Sequence, residues 1–134
     1  MFMLTMGAGM DLGFPDVCIT PLGIIPVPLP YPDIAETITT APAAYNVLID
    51  CMPVITSLSV GLVSLGDDTG ILLGVVSHMI SGDINYEVGC FTIFVDGMPA
   101  QRLTSVTGQN ALFVLPNSPG MCIVPSQVTV LSLG

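Results

Sequence analysis

Asp68-Thr69-Gly70 is the triplet with the most definite chemistry in this chain. Two facing carboxylates that share a proton can activate water, the chemistry of aspartic peptidases. A chain of 134 residues would need a homodimer to bring in the second carboxylate. In such enzymes an apolar strand runs straight into the aspartate, whereas Gly66-Asp67 precedes it here, so the residues favour a turn with Asx-type hydrogen bonds. Ser77 and His78 are neighbours, but triads converge in space, and adjacency in sequence carries little weight. With one histidine and no lysine, general bases are scarce. The four cysteines, Cys18, Cys51, Cys90 and Cys122, lie far apart with no CxxC pair. His78 with three of them would satisfy the four N/S ligands of a structural zinc, but no local ligand spacing supports this, and no cofactor is expected. A cysteine nucleophile beside His78 is weaker still. Free buried thiols are the expectation in a reducing compartment, while two disulfides would be open to an exported chain.

The elements that would hold these residues centre on Cys90 to Arg102. Ile93, Phe94 and Val95 favour a strand, and Asp96-Gly97 suits a two-residue type I′ turn, whose central residues both need φ > 0. The chain returns through Met98, Pro99 and Ala100 to Arg102, the one basic side chain. Arg102 is expected to anchor a carbonyl or carboxylate, with an interface role as the alternative. A weaker copy, Val47 to Val54, repeats an apolar triplet, Asp50, one residue and Met52-Pro53. The two aspartates are 46 residues apart, so the chain reads as a small β-domain built by repetition.

Composition narrows the function. The length suits one domain that buries about 68% of its unfolded surface. Apolar residues make up 51% and charged residues 8%, against about 25% charged in an ordinary globular protein. So few charges cannot cover a usual monomer surface, which implies an uncharged face that meets another protein. A Ser/Thr-rich exterior on a solitary β-domain is the plainer alternative. The net charge of −9 excludes a phosphate-reading nucleic-acid binder and disfavours anionic membrane surfaces. The apolar N-terminus lacks a basic n-region and is not read as a signal peptide. The charge-free run after Arg102 is broken by Pro116, Pro119 and Pro125, so it is no membrane helix. A cytoplasmic start is expected.

In chain order, residues 1–13 read as an irregular arm and 14–134 as a single β-domain. Pro26, Pro28, Pro30 and Pro32 fix φ and remove alternate N–H donors, so this segment is polyproline-like or an edge strand. An SH3-type ligand is the functional alternative to a stiff surface strap. Asp33 to Pro42 has room for one helical turn. Strands are expected at 55–60, 71–76, 86–95, 98–106, 111–115, 121–124 and 128–133, with turns at 66–70, 81–83 and 117–120. No amphipathic helix is visible, so the fold class is all-β with many short strands.

Several blocks of the chain resemble the PAAR-like spike-tip proteins of contractile injection machines, chiefly type VI secretion. Phe14-Pro15-Asp16-Val17-Cys18-Ile19-Thr20-Pro21 with the proline run that follows is similar to that family's start. Gly66-Asp67-Asp68-Thr69-Gly70 and Gly74-Val75-Val76-Ser77 resemble its central block, and Val95 to Arg102 its "I-N-G-x-P-A-x-R" hairpin. The likeness runs from about Phe14 to Val128. It implies a small conical β-domain that caps a trimeric VgrG-type spike, carries effector cargo or an adaptor, and has no catalytic role. It implies delivery without a signal peptide, and it is shared with phage tail tips. Better-known PAAR proteins hold a metal with several histidines and a cysteine; this chain departs from them in having His78 alone.

Overall fold

In the computed structural model, which describes residues 1–133, the chain is built almost wholly of antiparallel strands. They are β1 (Met10–Leu22), β2 (Ile25–Glu36), β3 (Thr40–Ala41), β4 (Ala44–Ile49), β5 (Met52–Val54), β6 (Val60–Gly61), β7 (Asp83–Val88), β8 (Cys90–Val95), β9 (Met98–Ala100), β10 (Val106–Ala111) and β11 (Ser118–Val124). One 3-10 turn, Thr37–Thr39, answers the expected helical turn. No described helix is long and apolar enough to cross a membrane. The fold class is all-β, as the residue pattern predicts.

Seven strands form one sheet in the order β2-β1-β11-β10-β7-β6-β3. The proline-rich segment is strand β2 at the sheet edge, paired with β1 from Met10↔Glu36 to Leu22↔Ile25. Alternating proline explains that position, because a strand without alternate donors can bond on one side only. Gly23, at φ +68, closes the hairpin through a two-residue turn. Farther along β2, Ile34 exchanges two 2.7 Å backbone bonds with Leu65, which bridges that edge at one point.

Two small hairpins, β4-β5 and β8-β9, stand apart from the sheet. Asp50 and Cys51 have φ of 52 and 64, and Asp96 and Gly97 have 53 and 77, so both turns use two left-handed residues.

The irregular arm assigned to residues 1–13 needs correction. Met10 to Gly13 belong to β1, and Leu4 is fully buried in the core. The partners of residues 2–6 are remote in sequence, as with Ile55 N–H to the Leu4 carbonyl at 3.0 Å and Leu4 N–H to the Gln101 carbonyl at 2.9 Å, so no local pattern reveals them. The buried strand expected over 71–76 is instead an exposed loop, with Ile71 at 62% exposure. It has no strand of its own to join and only tacks onto β1, through Val75 N–H to Val17 O and Ile19 N–H to Leu73 O. Ser118 to Gly120, read as a turn, pair with β10 and β1 within β11. Leu112 to Leu115, read as a strand, form a tight exposed turn closed by mutual 3.1 Å bonds. Residues 55–60 hold a bridge at Thr56 and only the start of β6, not a continuous strand.

Candidate functional site

Three chain segments meet in a closed, buried ring. Leu4 N–H donates to Gln101 O at 2.9 Å, Gln101 N–H to Ile55 O at 3.0 Å, and Ile55 N–H to Leu4 O at 3.0 Å. Two residues farther on, a second set of three bonds runs in the opposite rotation. Met6 donates to Pro53 O, Ser57 to Pro99 O and Leu103 to Phe2 O, at 2.9, 3.0 and 2.7 Å. The bridges Thr5↔Val54, Thr56↔Ala100 and Met3↔Arg102 complete the set. Each segment also has a serine hydroxyl that accepts a backbone N–H: Ser126 from Thr5, Ser59 from Thr56 and Ser105 from Arg102, at 2.8, 3.0 and 2.9 Å. The arrangement is pseudo-threefold, and every backbone group named in the ring is satisfied within it.

Each segment carries a hairpin. Leu48↔Pro53 in β4-β5 and Phe94↔Pro99 in β8-β9 occupy matching places. The third match is Leu131↔Phe2, so the third hairpin is made from residues near the two ends of the sequence. Ser132 N–H to Met1 O, at 2.6 Å, joins them where Ile49↔Met52 and Val95↔Met98 join the others. Inward residues Met3, Val54 and Ala100, with Ala44, Ile49 and Val95, form the core under the ring. Outward, Leu48, Phe94 and Leu131 are 57%, 60% and 51% exposed. Their threefold mates Tyr45, Phe91 and Val128 are 59%, 72% and 67% exposed. The result is a rim of six large apolar side chains, two per hairpin.

The motif residues now have places. Asp50 accepts from Thr129 Oγ1 of the third hairpin at 2.8 Å, and Asp96 accepts from Asn46 Nδ2 of the first at 2.7 Å. Pro53 and Pro99 supply ring carbonyls, and Gly97 completes its turn. Arg102 is half-buried and stands where the other segments have Thr5 and Thr56.

A second cluster lies inside the sheet. One ligand atom each from Asp16, Cys18 and Asp67 lies within 4.8 Å of the others, and all three residues are buried. Asn110 Nδ2 sits among them, 3.0 Å from Asp16 Oδ2, 2.8 Å from Asp67 Oδ2 and 3.0 Å from the Met79 carbonyl. Asn117 Nδ2 also donates to Asp16 and to Val17 O, while its Oδ1 accepts from Val76 N–H at 2.8 Å. Ser81 N–H donates to Asp67 at 3.1 Å. Two asparagine amides thus tie β1, the 66–82 loop and β10 together. Burial, with the Asp16 and Asp67 charges, pushes the Cys18 thiol up to about 12. With both asparagine amides donating into the carboxylates, these residues form a buried hydrogen-bonded lock. Asp33 faces the same interior, fully buried, with no hydrogen-bond partner for either carboxylate oxygen. Burial raises it to about 7; the nearby Ser64 hydroxyl, whose own hydrogen bond goes to Gly82 O at 3.1 Å, opposes the shift, and the neighbouring Asp67, Asp16 and Asp68 add to it.

The zinc candidates are not brought together. Cys18 lies in β1, Cys51 in an exposed turn, Cys90 in β8 and Cys122 in β11, all as free thiols. His78 is exposed on the 69–82 loop at φ 56. Within Asp68-Thr69-Gly70, Asp68 is exposed and accepts from Ser81 Oγ at 3.1 Å, while the buried carboxylate is its neighbour Asp67. Asp67, Asn110 and Asn117 are not legible in the sequence as a cluster, because residues 16 and 117 are too far apart for any spacing signal.

Residues 9–115 match the toxin PAAR-like domain family. The chain belongs to that family. No curated protein and no solved structure matches the chain. The family match covers the β1-β2 hairpin, the buried lock except Asn117 and two of the three rim hairpins. The third, built partly from residues 127–133, lies outside the matched range. Membership makes a structural, toxin-associated role the coarse functional statement for this PAAR-like domain.

Proposed function

We propose that this chain is a spike tip that seats its pseudo-threefold base on the blunt end of a trimeric VgrG-type β-helical spike and finishes it to a point. The ring of Leu4, Ile55 and Gln101 carries the reading. A trimer presents three identical strand ends, and one chain matches that symmetry by presenting three equivalent hairpins around the ring. The rim of Tyr45, Leu48, Phe91, Phe94, Val128 and Leu131 supplies matching apolar contacts without a charge among them. On this reading the chain acts without catalysis, recruits effector or adaptor proteins through its other surfaces, and leaves the cell with the spike.

The test is assembly with the cognate spike. One tip per spike trimer is expected to co-elute, and Leu48→Asp with Phe94→Asp is expected to abolish co-elution while the tip stays folded. Stable co-elution of that variant, or a ratio of three tips per trimer, defeats the reading. The same capping physics would serve a phage-type tail, and the neighbouring genes distinguish the two settings.

A further inference from the structure

On the outer face of the seven-stranded sheet, five strands each place one apolar residue in a single row. Ile34 of β2 pairs with Leu12 of β1, Leu12 with Met121 of β11, Met121 with Val106 of β10, and Val106 with Val88 of β7. Cross-strand partners share a face. Their sequence neighbours Asp11, Cys122 and Thr107 are buried on the opposite face. Ile34, Met121, Val106 and Val88 are 38%, 47%, 41% and 43% exposed, and exposed Phe14 and Ile123 widen the patch. A cavity of about 420 Å³ lies beside Leu12 and Met121, and one of about 410 Å³ beside Ile34 and Leu65. The row carries no charge, but exposed Glu36 lies at its β2 end and exposed Glu87, next to Val88, at its β7 end. A Cβ added at Gly108 would come within 2.6 Å of Glu87 Oε1, which puts that carboxylate on the same face as Val106.

We propose that this face receives one amphipathic helix of a cargo or adaptor protein, apolar along its middle and carrying lysine or arginine near each end. Geometry argues for a helix. The row crosses four gaps between strands, roughly 19 Å, which about thirteen helical residues would span. A helical turn of about 5.4 Å nearly matches the strand spacing of about 4.8 Å, so each turn sets an apolar side chain over one strand. A partner's strand would add at an edge of the sheet, whereas this row crosses its face. Charge argues for the basic ends, since Glu36 and Glu87 bracket the row in a chain of net charge −9. A second copy of this chain is disfavoured on the same ground. Two rows laid together in either direction oppose glutamate to glutamate. The inference rests on the cargo-recruiting part of the proposed function, and it adds the surface and the partner's chemistry.

The probe is a fluorescein-labelled synthetic helix of about sixteen residues, with leucine along one face and lysine at both ends. A twin peptide has glutamate in place of lysine. The full chain, without any spike, is expected to raise the anisotropy of the lysine peptide and not that of its twin. Met121→Asp with Val106→Asp is expected to weaken binding about tenfold or more, with the fold checked by circular dichroism. Glu36→Lys with Glu87→Lys leaves the apolar row intact and is expected to reverse the preference between the two peptides. Leu48→Asp with Phe94→Asp is expected to bind the lysine peptide as the unaltered chain does, so cargo docking and spike docking fail separately. No binding of the lysine peptide, equal binding of its twin, or an unchanged preference in the Glu36→Lys, Glu87→Lys chain overturns the proposal. So does binding that is lost with Leu48 and Phe94 but kept without Met121 and Val106, or dimerisation of the chain that Met121→Asp abolishes.

Discussion

Asp33 brings two carboxylate oxygens into the interior without a hydrogen-bond partner, in a chain whose single arginine sits in the base. Its acidity in the fold, about 7, lies above the ordinary 3.8, and burial raises Asp11 and Asp16 in the same direction. A group raised on folding binds its proton more tightly in the native state. Its stabilising contribution is therefore complete below about pH 4 and lost as pH climbs through about 7. The thermal midpoint is expected to fall between pH 5 and pH 8, and Asp33→Asn to flatten most of that fall, on the order of 3 kcal/mol at pH 8. A midpoint independent of pH would show that these carboxylates are not desolvated. Gln101 offers a second test. It is the polar member of a ring whose other members are Leu4 and Ile55, and both its amide atoms are buried without partners. Gln101→Leu is expected to raise unfolding free energy by about 1–3 kcal/mol in denaturant titrations. These residues were hard to find in the sequence for a physical reason. Asp68 stands out there through its Thr-Gly neighbours, yet burial selects Asp67, and burial depends on chain segments that local spacing does not record.

At the scale of elements, two of the three rim hairpins were legible because each is contiguous: the second turns on Asp96-Gly97, and the first repeats its apolar triplet, Asp50 and Met52-Pro53. The copies differ in one respect. Where the second turn has Gly97 at φ 77, the first has Cys51 at φ 64, a conformation that costs a side-chain-bearing residue about 1–2 kcal/mol. Cys51→Gly is expected to raise stability by about 1 kcal/mol, measured as a shift of the denaturant midpoint without change of slope. A loss of stability would mean that the exposed Cys51 side chain makes contacts that outweigh its strain. The edge position of β2 was legible too, because proline chemistry permits few others. The strand expected over 71–76 failed for the opposite reason. Its apolar residues look like a core strand, but Gly70 and Gly74 approach Cys18 and Asn117 so closely that the segment folds into turns against them. Apolar content alone cannot distinguish a buried strand from an exposed apolar loop.

For the whole molecule, low charge combined with a six-residue apolar rim is the feature that composition anticipated and geometry located. The pseudo-threefold pattern itself was only two-thirds visible, since Leu131↔Phe2 joins residues separated by almost the whole sequence. Rim substitutions separate folding from docking. Phe91→Ser, at a side chain 72% exposed, is expected to change unfolding free energy by less than about 0.5 kcal/mol, with spike co-elution as the property it weakens. The split hairpin also bears on how the chain comes off the ribosome. Residues 44–54 and 90–100 can each fold back on themselves as soon as they emerge, because their turns are local. The ring cannot close until Leu103 has met Phe2, and the third hairpin must wait for Leu131 and Ser132. Until then the apolar undersides of two finished hairpins lie open to water, which makes the interval before Leu131 and Ser132 emerge the moment of greatest aggregation risk.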